Sequence, residues 1–130
     1  TVTAPAIETL DQMMTAGRDA APVISPQEAM KLLASGTAIA VDVREASEVA
    51  DSGKIAGAIV ASRSHLEFAL DPASPRYSPA LRKSKTILLY CASGKRATLA
   101  ATTFREMGYA DVRNLGGFKD WVAAGGSIEK

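Results

Sequence analysis

The sequence predicts an α/β fold: a mainly parallel sheet with helices on both faces. Three observations carry that prediction. Strand-like and helix-like segments alternate along most of the chain. Two short, continuous apolar runs, AIAVDV (38–43) and TILLY (86–90), read as strands covered on both faces. The second run ends abruptly at Cys91, the chain's only cysteine, where a turn rich in small residues leads into another helix. In parallel sheets a ligand sits beyond the carboxyl ends of the strands, and Cys91 falls at such an end.

The elements follow in order. Residues 5–16 place Ile7, Leu10, Met13 and Met14 at helical spacing, with Gly17 as the stop. This amphipathic helix is expected to dock its apolar stripe onto the same chain. RDAAPV is a connector. Ser25, Pro26 and Glu28 form a helix start, Ala29, Leu32 and Leu33 its buried stripe, and Gly36 its end. After the first apolar run, REASEVADSG reads as a short helical turn. KIAGAIVAS reads as a strand and SRSHLEFAL as a helix. DPASPRYSPALRKSK, with its three prolines, reads as a surface loop. The helix after Cys91 aligns Ala100, Phe104 and Met107, with Gly108 as its stop. DVRNL is a last strand, and GGFKDWVAAGG closes in a short helix bracketed by glycines. Residues 1–21 are taken as an N-terminal helix and connector, and residues 22–130 as the main domain.

Bulk properties narrow the function. The chain has 130 residues, enough for one domain with a core. Its net charge of +1, scattered basic residues and few aromatics argue against nucleic acid. No run is long enough to span a membrane. One cysteine excludes an internal disulfide, and one cysteine with one histidine excludes a Cys/His zinc site. A lone thiol points to a reducing compartment, so a cytoplasmic location is expected.

The chemistry concentrates in YCASGKRA (90–97). A strand feeding a helix aims several backbone N–H groups at one point, and the helix N-terminus adds partial positive charge. Such surroundings favour an anion, including a thiolate, and Lys95 and Arg96 add cations. Gly94 permits backbone angles that a Cβ would hinder. A nucleotide-binding P-loop fails, because Leu89 stands where its first glycine belongs and Arg96 follows Gly94-Lys95. The tyrosine-phosphatase pattern C-x5-R also fails, because Ala97 stands at the arginine position and Arg96 comes one residue early. The shorter loop predicts a tighter cradle, sized for one sulfur rather than a phosphate. His65 carries no protease signature and reads as an ordinary surface residue.

VDVRE (41–45), GKIAGA (53–58), YCASGKRA (90–97) and NLGGFKDW (114–121) together resemble a single-domain rhodanese, over roughly residues 22–128. Lys54 departs from the family's usual histidine before the turn. The resemblance implies a three-layer α/β/α fold around a mainly parallel, five-stranded sheet. It implies a sulfurtransferase in which Cys91 takes a sulfane sulfur from a donor such as thiosulfate, as a persulfide. The sulfur then passes to cyanide or a thiol, with no metal or organic cofactor. The N–H groups of Ala92, Ser93, Gly94, Lys95 and Arg96 would cradle the sulfur, and Arg63 would face the same pocket. Asp42 would brace the neighbouring loop, and Arg44 would pair with a carboxylate such as Glu48. Gly116, Gly117, Phe118 and Trp121 read as turn and packing residues. Two other functions stay open. One is a cysteine-dependent phosphatase or arsenate-reductase-like enzyme of related fold. The other is a non-turnover sulfur carrier that binds a protein partner, suggested by the N-terminal helix and the Pro-rich segment.

Overall fold

The sheet forms where aliphatic side chains alternate between two faces. In the computed structural model, which describes residues 9–130, strands β1 (Ala38–Asp42), β3 (Ile59–Val60), β4 (Thr86–Cys91) and β5 (Val112–Gly117) make one parallel sheet in the order β3-β1-β4-β5. Along β4, Ile87, Leu89 and Cys91 enter one apolar cluster, and Leu88 and Tyr90 enter the other. The period of two thus divides one buried run between two cores. Helices α1 (Leu10–Ala20), α4 (Leu66–Leu70) and α5 (Lys95–Glu106) cover the first face. Helices α2 (Pro26–Ser35) and α6 (Phe118–Ala123) cover the second, with Ala29, Phe118 and Trp121 buried. Helix α3 (Ala46–Ser52) follows β1 at the carboxyl end of the sheet. The expected three layers are present. No helix among the described residues is long and apolar enough to cross a membrane.

Among the described residues the sheet has four strands where five are expected. A fifth position is marked only by a single parallel bridge between Val23 and Asn114. It is held by Ile24 N–H donating to the Asn114 carbonyl and Asn114 N–H donating to the Pro22 carbonyl. Pro22 has no N–H of its own and allows no longer ladder. The segment read as one strand over KIAGAIVAS is two. Lys54–Ile55 (β2) turns away at Gly57 and pairs antiparallel with Ile128–Glu129 (β6), a C-terminal strand that periodicity does not reveal. Residues 63–65 form a 3-10 turn leading into α4. The Pro-rich loop is anchored at Leu81, whose carbonyl accepts from the Tyr109 hydroxyl at 2.6 Å.

The first helix differs most from its expected form. Residues 5–8, including Ile7, lie outside the described residues. The helix starts where Thr9 and Gln12 cap each other and runs through Gly17 to Ala20, so RDA is helix and not connector. Gly17 is no stop. It is the buried residue at which α1 crosses α5, and a Cβ there would land on the Thr98 carbonyl. Of the apolar stripe only Met14 is half-buried among the described residues, since Leu10 is 64% and Met13 42% exposed. The helix seats through its glycine instead.

Gly17 yields a test of opposite sign to helix propensity. In an open helix, Gly→Ala stabilises by about 0.5–1 kcal/mol. Here the added methyl must push two helices apart, so Gly17→Ala is expected to destabilise by about 1–3 kcal/mol in denaturant unfolding.

Candidate active site

Cys91 ends β4 at the register position opposite Gly117, and Tyr90 lies opposite Gly116, just past an irregularity in the β4–β5 pairing. The absence of side chains at Gly116 and Gly117 lets the loop after Cys91 lie against the end of that strand. A Cβ on Gly117 would sit 2.6 Å from the Ala92 carbonyl oxygen. The loop then turns at Gly94, whose φ of 93° lies in the left-handed region, open to glycine at little cost. The turn aims the Gly94 N–H at the cysteine, and it donates to Cys91 Sγ at 3.0 Å. Ala92 and Ser93 are exposed, whereas Cys91 is fully buried at the floor of the loop.

A hydrogen-bond chain holds this turn. The buried Thr98 hydroxyl donates to the Gly94 carbonyl at 2.8 Å and accepts from Asn114 Nδ2 at 3.0 Å. Asn114 Oδ1 in turn accepts from the Gly116 N–H at 2.8 Å. The loop is thus tied to the first turn of α5 and to β5 at once, and α1 presses on the Thr98 carbonyl from behind through Gly17. Sequence reasoning missed Thr98 and Asn114. Neither carries a motif by itself; Asn114 opens the NLGGFKDW segment, but its partner lies sixteen residues earlier.

The structure brings Asp42, Arg44 and Glu48 to the site with partners other than those expected. Arg44 does not pair with Glu48. It folds back on Asp42, with Nη2 at 2.7 Å from Oδ2 and Nε at 3.0 Å from Oδ1, both side chains buried. Two further donations, to Ser52 Oγ at 2.7 Å and the Gly53 carbonyl at 2.6 Å, complete its coordination. The guanidinium lies 4.5 Å from the Phe118 ring centroid and 5.9 Å from that of Tyr90. Burial works against its charge, but Asp42 outweighs burial and the pKa rises. A buried pair with this many donors satisfied ties β1 to the end of α3; removing one partner alone is costly. Burial also pushes the Tyr90 phenol up, and its oxygen accepts from the Ile55 N–H at 3.0 Å.

Glu48 belongs to Arg96. The two form a fork-to-fork pair, Nη1–Oε1 at 2.6 Å and Nη2–Oε2 at 2.9 Å, each side chain 35% exposed. Because α3 brings Glu48 to the first turn of α5, Arg96 is held by a carboxylate beside the loop. Its hydrogen bonds to Arg96 depress the Glu48 pKa from 4.5 to about 2, and the Arg96 pKa is raised by the same contact. Lys95 is exposed and, among the described residues, forms no ion pair. Arg63 is not at the site. It pairs with Glu67 at 3.2 Å and lines a different groove, with Met13 and Leu99, because the 3-10 turn carries it toward α4. His65 is exposed on that turn, in a third groove with Glu45 and Arg76.

Beside Ala92 a groove of about 590 Å3 opens between α3 and α6. Arg44, Glu48 and Asp51 line one side and Phe118, Lys119 and Val122 the other.

A buried cysteine that accepts from the Gly94 N–H at the carboxyl end of a parallel sheet marks a cysteine-centred α/β site. The rhodanese-like domain family model matches residues 25–124, and the chain belongs to that family. It is 37% identical over 109 residues to the human thiosulfate:glutathione sulfurtransferase, covering 78% of this chain and 94% of that one. It is 38% identical over 93 residues to the enzyme of the same name from Saccharomyces cerevisiae, covering 68% and 67%. A human single-domain sulfurtransferase structure superposes with a TM-score of 0.66 at 36% identity, over 79% of this chain and 96% of that one. A Rhodopseudomonas palustris protein described as a possible tyrosine phosphatase superposes at 0.84 and 33% identity, over 99% of this chain and 100% of that one.

The Glu48–Arg96 pair predicts a pH signature. Its folded-state pKa lies below the ordinary value, so the pair's stabilisation is complete above about pH 4.5 and is lost as pH falls through about 2. The stability difference between the natural chain and Glu48→Gln, measured by denaturant unfolding, should therefore be constant above about pH 4.5 and shrink as the medium is acidified below it.

Proposed function

We propose that this sulfurtransferase works through a persulfide on Cys91, taking its sulfane sulfur from thiosulfate and giving it to a thiol such as glutathione. The observation that carries this reading is the Gly94 N–H directed at Cys91 Sγ, in a loop whose arginine comes one residue earlier than in the C-x5-R pattern. The thiolate attacks the outer sulfur of thiosulfate. A Cys91 S–S bond forms, the S–S bond of thiosulfate breaks, and sulfite leaves with the bonding pair. An acceptor thiolate then attacks the outer persulfide sulfur, forming its own S–S bond and returning Cys91 as thiolate. Charge is conserved in both steps, and no proton need move between them.

The N–H groups of residues 92–96 meet the negative charge on the outer sulfur, a preorganised environment of the oxyanion-hole kind. Lys95 supplies an exposed cation for the arriving donor and departing sulfite. Arg96 contributes less free charge than its position suggests, because Glu48 offsets it. In this reading residues 22–130 form the catalytic domain, α1 packs against its α5, and the reducing cytoplasm is the proposed compartment.

A phosphatase reading has the Rhodopseudomonas palustris description on its side. Against it stands the loop itself, whose arginine is one residue early and bound to Glu48.

The test is steady-state kinetics with thiosulfate and glutathione varied together. Parallel double-reciprocal lines, and loss of at least about a thousandfold of turnover in Cys91→Ser with the fold retained, are expected. Turnover surviving in Cys91→Ser, or Cys91-dependent hydrolysis of an aryl phosphate without sulfur transfer, would contradict the proposal.

A further inference from the structure

The groove beside Ala92 is larger than an ion of a few atoms needs. Its volume of about 590 Å3 falls in the range of sites that enclose a small organic molecule. Four of the charged groups around it are already matched, Arg44 with Asp42 and Glu48 with Arg96. Two lining charges are not. Asp51 on α3 and Lys119 on α6 are exposed, and among the described residues neither forms an ion pair. The α6 side also offers apolar surface from Phe118 and from Val122, which is 46% exposed.

We infer that this groove is the acceptor site, and that Lys119 and Asp51 select a thiol bearing both a carboxylate and an ammonium group, as a small cysteinyl peptide does. The inference rests on the persulfide reading of Cys91. The groove reaches the loop at Ala92, so a thiol lying in it is adjacent to the residue that precedes the sulfur-cradling turn. Lys119 meets the carboxylate, Asp51 the ammonium, and the Phe118–Val122 surface the peptide's apolar atoms. The opposed charges set the orientation of the acceptor along the groove. Charges on the rim of a site act more on selection and encounter than on raw affinity, so their effect belongs in the comparison between acceptors.

Four acceptors separate the contributions: glutathione, mercaptoacetate with a carboxylate only, cysteamine with an ammonium only, and 2-mercaptoethanol with neither. Each kcat/KM is taken with thiosulfate as donor and expressed relative to 2-mercaptoethanol. Lys119→Glu should lower the glutathione and mercaptoacetate ratios by about tenfold and raise that of cysteamine. Asp51→Lys should lower the glutathione and cysteamine ratios and raise that of mercaptoacetate. Lys31→Glu, an exposed charge reversal on α2 away from the groove, should leave all ratios unchanged. If thiosulfate loads Cys91 normally but both groove variants keep their ratios within about twofold, or change them no more than Lys31→Glu does, the acceptor assignment is wrong and the persulfide reading stands. If Cys91 accepts no sulfur at all, both are wrong.

Discussion

The left-handed turn at Gly94 is the constraint on which the site depends. One residue at φ 93° points an N–H at Cys91 Sγ, and several otherwise unrelated features exist to keep it there. The β5 glycines leave room for the loop, since a Cβ on Gly117 would collide with the Ala92 carbonyl and one on Gly94 would lie 3.3 Å from Gly116 Cα. Thr98 and Asn114 fasten the Gly94 carbonyl to helix and strand together. Backbone donors fixed in this way need no reorganisation when negative charge arrives, which is what makes such an environment effective.

Two ion pairs flank the loop. The Arg44–Asp42 pair is buried and stacked on aromatic rings, and it closes the end of β1 against α3. The Glu48–Arg96 pair is half-exposed and ties α3 to the first turn of α5. Both pass through α3, a helix of only seven residues that would have little stability alone. Its capping exchange between Glu45 and Glu48 and its arginine partners hold it in place. The groove between α3 and α6 is therefore shaped by the same contacts that steady the loop.

Much of this was legible in the chain. The alternation of strand and helix, the two covered apolar runs and Cys91 at a strand end sufficed for the layered fold, because burial on both faces leaves a simple pattern. The Cys91–Arg96 loop was legible because its residue types are adjacent in sequence. What sequence could not reach depends on segments meeting in space. Gly17 looks like a helix stop in one dimension and is a helix crossing in three. The resemblance pairs Arg44 with a carboxylate such as Glu48, yet Arg44 takes Asp42 and α3 carries Glu48 round to Arg96. The resemblance places Arg63 at the pocket, whereas the 3-10 turn pairs it with Glu67 in a different groove. The C-terminal strand at Ile128–Glu129 is two residues long, too short for any period to register.

The central claim, that this cradle holds a single sulfur on Cys91, is tested most directly by the intact mass of the full chain before and after incubation with thiosulfate, and again after glutathione. The account predicts a gain of one sulfur atom, about 32 Da, mapped to Cys91 and removed by glutathione, as a two-step transfer requires. An unchanged mass, with the fold intact and the thiol reduced, would contradict it.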